Sequence, residues 1–327
     1  MKLGKISDSI LKRTILKQIK FHRDEIISGA GVGEDCAIFA PLAGEVMVTC
    51  MQEAAVATPA DMARLVVKCA NNLATAGAEP VACMITYLLP ERASEEKLKK
   101  LMESASYTAR SLGMEIAGGQ TSVSPYVTQK LAVVTGYGRA AEKKYCTTRG
   151  AKPGQDIVIS KWIGLEGTAL LAQQKEQELL QRYPAYLIEE AKGFDQYLSI
   201  IPEAATAVKS GVCVMHDASE GGIMAALWEL ADSSGVGLTI ELRKLPIRQE
   251  TVEICEFCNV NPYELMSSGC LVMTADDGDS LVEALEKEGI AAVVVGKITD
   301  SNDRIIFNED EKRYLDKPKV DEIHRFL

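Results

Sequence analysis

Val212-Cys213-Val214-Met215-His216-Asp217-Ala218-Ser219-Glu220-Gly221-Gly222-Ile223 is the stretch on which the fold turns. Its first four residues are apolar and predict a strand over 212–215. Ile223, Leu227, Leu230 and Ala231 recur at helical spacing and predict a helix over 223–234. Between them lies a short polar turn with paired glycines. The positive end of a helix attracts phosphate oxygens, and Asp217 and Glu220 could hold the metal that travels with them. The same turn also reads as a plain helix cap supplied by Asp217 or Ser219, and the two readings are compatible.

Working outward, strands and helices alternate along both halves. In the N-terminal half, strands are predicted at 36–39, 46–50, 81–88, 116–121 and 131–138. A helix is predicted over 1–23 with Ile10, Leu11, Ile15 and Ile19 on one face, one beginning at Thr58-Pro59, and one from Ser94 that stops at Gly113. In the C-terminal half, strands are predicted at 156–160, 212–215, 238–242, 269–274 and 291–295. Helices are predicted at 167–174, 176–192, 202–210, 223–234 and 281–288. The polar stretch 139–154, ending in Pro153-Gly154, is the domain boundary this pattern implies. The expected division is 1–145 and 146–327, in the α/β (α+β) class.

The 327 residues carry a net charge of −10. An acidic chain lacks the clustered cations that neutralise a phosphate backbone, so nucleic acid is not an expected partner. No stretch reaches the roughly 18 to 20 apolar residues of a membrane span, and the start reads as no secretory signal. The nine cysteines are scattered, several in apolar segments, which points to a reducing, cytoplasmic compartment. Cys255-Glu256-Phe257-Cys258 has no second ligand pair nearby, so buried helix cysteines are expected rather than zinc.

Two further glycine segments carry chemistry. Gly29-Ala30-Gly31-Val32-Gly33-Glu34-Asp35 lets backbone approach a phosphate, with Glu34 and Asp35 placed to hold magnesium; it reads equally as a surface loop. Lacking Gly-Lys-Ser/Thr, it is not a Walker A loop. Gly118-Gly119-Gln120-Thr121 follows an apolar strand and reads as a ligand-facing glycine turn or a plain tight turn.

The order and separation of these motifs resemble the superfamily of AIR synthase, the hydrogenase maturation protein HypE, thiamine-monophosphate kinase and selenophosphate synthetase. Gly33-Glu34-Asp35-Cys36-Ala37-Ile38 resembles its N-terminal acidic loop. Asn71-Asn72-Leu73-Ala74-Thr75-Ala76-Gly77-Ala78-Glu79-Pro80 resembles its Asn-Asp-(Leu/Ile/Val)-Ala-x-x-Gly-Ala-x-Pro segment. Gly118-Gly119-Gln120-Thr121 resembles its Gly-Gly-Asp-Thr turn, and 216–222 resembles Arg-Asp-x-Thr-Arg-Gly-Gly of HypE. The resemblance implies a PurM-like two-domain fold. An N-terminal α/β domain would build a β-barrel in a homodimer, followed by a C-terminal α/β sandwich. ATP with Mg²⁺ would lie in a crevice where glycine turns of both halves converge, and a maturation partner protein is implied. The implied activity is ATP-dependent activation of a carbonyl or amide oxygen, of dehydratase or cyclo-ligase type.

On this resemblance Glu34 and Asp35 would meet the metal. Gly33, Gln52, Asn72, Gly118, Gly119, Gln120, Thr121, Gly221 and Gly222 would line the nucleotide, with Asp217 and Glu220 as catalytic acids. Three departures stand out. Met51-Gln52, Asn71-Asn72 and Gly119-Gln120 occupy places where the family carries aspartate, so amides replace three metal-binding acids. An amide oxygen coordinates a hard cation without neutralising it. Glu53 is the nearest compensating acid, although strand alternation turns it away from the face of Gln52. The sequence ends in Phe326-Leu327, where HypE carries the cysteine it modifies. Two other readings therefore stay open: a degenerate, non-catalytic dimer that binds a ligand or protein, and an unrelated α/β binding protein.

Overall fold

A computed structural model describes residues 4–31, 37–40 and 43–326. The chain divides into two compact units, 1–145 and 146–327. In the first, β1 (Gly4–Lys5) leads into a helical stretch made of α1 (Asp8–Ile10), a π-helical turn (Leu11–Ile15) and a 3-10 turn (Leu16–Gln18). The predicted N-terminal helix is thus shorter and broken. Lys5 and Gly4 instead pair with Ser122 and Val123, and Ile19 is already extended. A hairpin of β2 (Ile26–Ser28) and β3 (Ile38–Phe39) follows, β2 being a strand the sequence reading missed.

Next come β4 (Glu45–Ala55), α2 (Pro59–Thr75), β5 (Glu79–Leu89), α3 (Glu95–Ser111), β6 (Glu115–Val123) and β7 (Leu131–Ala141). The start of α2 is fixed locally. Thr58 Oγ1 accepts from the Asp61 amide, the Asp61 carboxylate accepts from the Thr58 amide, and Pro59 sits in the first turn where no amide is needed. The five strands run in the order β1-β6-β5-β7-β4, with β5 and β6 parallel. One face of this sheet packs on α2 and α3, burying Ile85, Tyr87, Val134, Leu65, Leu98 and Met102. The opposite face is only partly covered.

The predicted turn at Gly118–Thr121 is not a turn. These residues lie inside β6, where a register shift against Cys83 and Met84 marks a bulge in the parallel pair. Gly119 has φ +148°, and a Cβ there would lie 1.9 Å from the Ile85 carbonyl oxygen. Paired glycines serve a close strand approach here rather than a chain reversal.

The second unit holds β8 (Asp156–Ser160), α4 (Leu165–Gln174), α5 (Glu176–Leu179), α6 (Ala185–Lys192), α7 (Ile201–Lys209), β9 (Val214–Asp217), α8 (Gly222–Ser234) and β10 (Gly237–Glu241). It continues with α9 (Gln249–Cys258), β11 (Leu271–Ala275), α10 (Gly278–Lys287), β12 (Ala292–Thr299), β13 (Arg304–Asn308) and β14 (Glu311–Tyr314). The single helix predicted over 176–192 is two, because Pro184 in an extended conformation interrupts it. The seven strands run β14-β13-β10-β12-β8-β11-β9. One apolar cluster joins this sheet to α8 through Ile159, Val272, Ile223, Leu227 and Leu230. A second, with Leu171, Ile188, Ile254 and Ile323, binds α4, α6, α9 and the C-terminal segment. Among the described residues no helix is long and apolar enough to cross a membrane.

Candidate functional site

In the N-terminal sheet, register decides which predicted polar residues share a side. Gln52 pairs with Val134, and Val134 with Ile85, so its side chain belongs to the helix-covered face. Glu53 pairs with Val133, Val133 with Thr86, and Thr86 with Gln120. Glu53 and Gln120 therefore stand in one row of the open face, three strand spacings or about 14 Å apart. Both are exposed, whereas Thr121 is buried on the other side. Asn72 lies on α2, hence on the helix side. Cys69 is level with Cys50, their sulfurs 3.6 Å apart, and Asn72 is one turn further along α2, away from Gln52. The structure does not gather Gln52, Asn72 and Gln120 at one point. It sets Gln120 on the same face as Glu53, the acid that strand alternation alone sets aside.

Gly118 and Gly119 also border a cavity on the helix side. Ile6, Leu11, Ile15, Leu16 and Ile19 form one wall and Ile85, Tyr87 and Met102 another, with Ala30, Gly31 and Thr121 completing the lining beside Gln120, whose side chain strand alternation turns to the open face. The recess combines apolar walls with polar lining, and concave sites of this kind take small molecules. The apolar periodicity of the N-terminal segment is thus put to lining this recess. Gly33, Glu34 and Asp35 lie outside the described residues.

Five charges fasten the N-terminal hairpin to the sheet. Arg23 reaches Glu25 at 2.6 Å and Glu79 at 2.8 Å; Arg139 reaches Glu79 at 2.9 Å, Glu25 at 3.2 Å and Glu45 at 3.8 Å. The hydrogen bond from Arg23 holds the Glu25 carboxyl far below its ordinary range, at about 2, against a smaller opposing effect of burial.

In the C-terminal unit, Asp217 is the last residue of β9 and is buried, opposite Leu271. The turn after it is already engaged by the chain itself. The Gly221 amide, expected to face a phosphate oxygen, donates instead to Asp321 Oδ2 at 2.6 Å. Asp321 Oδ1 accepts from the amides of Met266 at 3.2 Å and Ile323 at 2.9 Å. Glu220, expected as a catalytic acid, meets His324 Nε2 at 2.8 Å, and the Gly222 amide donates to the Ser219 carbonyl. Both glycines have positive φ, and a Cβ on Gly222 would lie 2.6 Å from the Tyr263 carbonyl oxygen. The paired glycines thus let the turn nest against the 263–265 backbone. Burial raises the Asp321 carboxyl above its ordinary range even though three amides oppose the shift. Sequence reading missed Asp321, because the only signal for it is a contact formed 100 residues away.

Cys255 is buried within α9, and Cys258 is half-buried at its end. Among the described residues no group of three or more His, Cys, Asp or Glu side chains could hold a metal ion.

The sequence model of the AIR synthase related protein, N-terminal domain, matches residues 33–140, and that of its C-terminal domain matches 152–308. The chain belongs to the AIR synthase-related family. Within the family, a Methanocaldococcus jannaschii protein named for hydrogenase expression/formation is 25% identical over 98% of this chain and 96% of its own. The carbamoyl dehydratase HypE of Cupriavidus necator is 29% identical over 77% of this chain and 72% of its own. Escherichia coli HypE shares the fold with a TM-score of 0.79 at 20% identity, covering 96% of this chain and 99% of that one. A HypE solved in complex with ATP matches equally well, at 19% identity over 96% and 95% of the two chains. A chain of a HypE–HypF complex matches with a TM-score of 0.70 at 23% identity, over 85% and 92% of the two chains. The architecture is thus the PurM-like, two-domain fold of the AIR synthase-related family.

Proposed function

We propose that this AIR synthase-related chain binds ATP and uses it to activate a carbonyl or amide oxygen, in a dehydratase-type reaction related to hydrogenase maturation. Similarity to a hydrogenase expression/formation protein over 98% of the chain, and to a carbamoyl dehydratase HypE over 77% of it, supports this reading. Within the molecule, one observation carries it: the row of the open sheet face that joins Glu53 to Gln120. Magnesium on a nucleotide takes one or two carboxylates from protein and its other ligands from phosphate and water. Glu53 fits that modest demand, and Glu34 and Asp35 are the further acids we assign to it. Bound magnesium would neutralise the triphosphate. The chain's own contribution is to orient it, through Gln120 and the amides of residues 29–31, with the recess beside them available to a nucleoside. Asp217, buried at the end of β9, remains our choice for the acid that handles the substrate proton.

The assembly we infer is a homodimer. Among the described residues, β4 is an eleven-residue edge strand with one side unpaired, and Met47 and Met51 are 60% and 62% exposed. Long apolar edges are ordinarily covered by another chain. A HypF-like maturation partner is part of the same proposal, motivated by the HypE–HypF complex. No disulfide joins the described cysteines, which fits a cytoplasmic setting.

Calorimetric titration with ATP and Mg²⁺ tests the reading, alongside phosphate release with a carboxamide-bearing acceptor. Glu53→Gln should weaken Mg·ATP binding by about tenfold, worth about 1.4 kcal/mol, while Gln52→Glu should leave it unchanged. Absence of binding to the unmodified protein at millimolar ligand removes the proposal. Binding without turnover selects the non-catalytic dimer, which the three amides in place of acids favour.

A further inference from the structure

Three cysteines from separate elements meet on the helix-covered side of the N-terminal sheet. Cys50 of β4 and Cys83 of β5 both pair with Gly136 of β7, one on each side. Cys69 comes down from α2, its sulfur 3.6 Å from that of Cys50. Gly136 makes the meeting possible, since a Cβ there would lie 2.6 Å from Cys69 Sγ and 3.1 Å from Cys50 Sγ. Any side chain at 136 would push the sulfurs apart.

From this geometry we infer that Cys50 and Cys69 form a redox-modifiable pair, closed to a disulfide by hydroperoxides. Register excludes Cys83 as the partner: it stands two strand spacings from Cys50, about 10 Å, beyond the roughly 7 Å that a disulfide spans between Cα atoms. Closing the 3.6 Å gap takes rotation of the two side chains about their Cα–Cβ bonds.

The order of events follows from access. Cys50 is half-buried on the edge strand and Cys69 is fully buried, so peroxide meets Cys50 first. The neighbouring Cys50 sulfur and burial together push the Cys69 thiol well up, so Cys69 acts second. The Cys50 sulfur attacks one oxygen of hydrogen peroxide as a thiolate, the O–O bond breaks, and Cys50 becomes a sulfenic acid while the departing hydroxide takes up the proton lost by the Cys50 thiol and leaves as water. The Cys69 sulfur then attacks the sulfenic sulfur, the S–O bond breaks, and a second water leaves with the Cys69 proton. Two thiols lose two electrons in total, and one peroxide gains them. The product fastens β4 to α2, and β4 carries Glu53 three residues further on.

The test uses full-length Cys213→Ser, which removes the one exposed thiol among the described cysteines. The reduced protein is treated with hydrogen peroxide, quenched by alkylation and mapped by mass spectrometry without reduction. The expected result is a Cys50–Cys69 linked peptide as the first cross-link, with a loss of two titratable thiols per chain. That peptide should persist in Cys83→Ser and vanish in Cys50→Ser. Oxidised protein in which Cys50 and Cys69 both remain alkylatable overturns the proposal, as does a first cross-link from Cys50 to Cys83. Mapping of the Cys213→Ser protein decides the matter even if a further variant folds poorly.

Discussion

Lys161 sits just past β8 with φ +51°, an uncommon backbone for a residue with a side chain. Its ammonium reaches Glu203 at 2.5 Å and the carbonyls of Tyr197 and Ser199 at 2.7 and 2.6 Å. The pair is largely buried, so removing the lysine strands a carboxylate. Lys161→Ala should cost about 3–5 kcal/mol, read from the urea midpoint of the C-terminal unit. Lys161→Met combined with Glu203→Met should lose less than the single change, because no charge is left uncompensated. Neither residue carries a sequence signal; each is one more surface-type charge until the fold closes. Thr58, Pro59 and Asp61 are the opposite case. Their roles are set within four positions of chain, and the start of α2 is readable from the residue types alone. Glu53 falls between. Its alternation against Gln52 is legible, but which of the two faces meets Gln120 depends on the pairing of four strands.

At the scale of elements, β6 passes β5 so closely just after the bulge at Ala117 that a Cβ on Gly119 would lie 1.9 Å from the Ile85 carbonyl oxygen. Gly119→Ala should destabilise the N-terminal unit by at least about 3 kcal/mol, from strain at positive φ added to a backbone clash. Gly118→Ala should cost clearly less, since its Cβ would meet only the flexible end of Met84 at 3.2 Å. Thermal melts of the two variants make the comparison, and equal losses would contradict this account of the bulge. Adjacent glycines have more than one structural meaning, which is why the sequence predicts a turn where a continuous strand exists. The edge of β4 offers another test. Met47→Lys with Met51→Lys should convert the proposed dimer to monomer in sedimentation velocity, because inward-facing cations block strand pairing. An unmodified protein that sediments as a monomer at micromolar concentration would refute the dimer.

Considered as a whole molecule, the chain has an acid response to which the Glu25 carboxylate contributes. Glu25 is held at about 2 by Arg23, against roughly 4.3 for a free glutamate. A depressed carboxylate stabilises the folded state fully above its unfolded value and loses that effect as pH falls towards the folded one. The N-terminal unit should therefore lose about 2–3 kcal/mol between pH 5 and 2 through this residue. Glu25→Gln should flatten that part of the profile, as followed by far-ultraviolet circular dichroism. The broad architecture is legible because alternating strands and helices fill both units and the motifs fall in family order. The site is less so, since Gly221 finds its partner in Asp321 only when remote stretches fold together.

That last contact bears on how the protein can be handled. Asp321 caps amides from three places in the chain, and Ile323 is fully buried two residues later. Trimming the chain before residue 321, a routine step in preparing crystallisable fragments, would expose the Gly221 and Met266 amides and open an apolar hole beside α9. An affinity handle appended at this end should be separated by a flexible spacer, so that its bulk does not pull the final turn out of its seat.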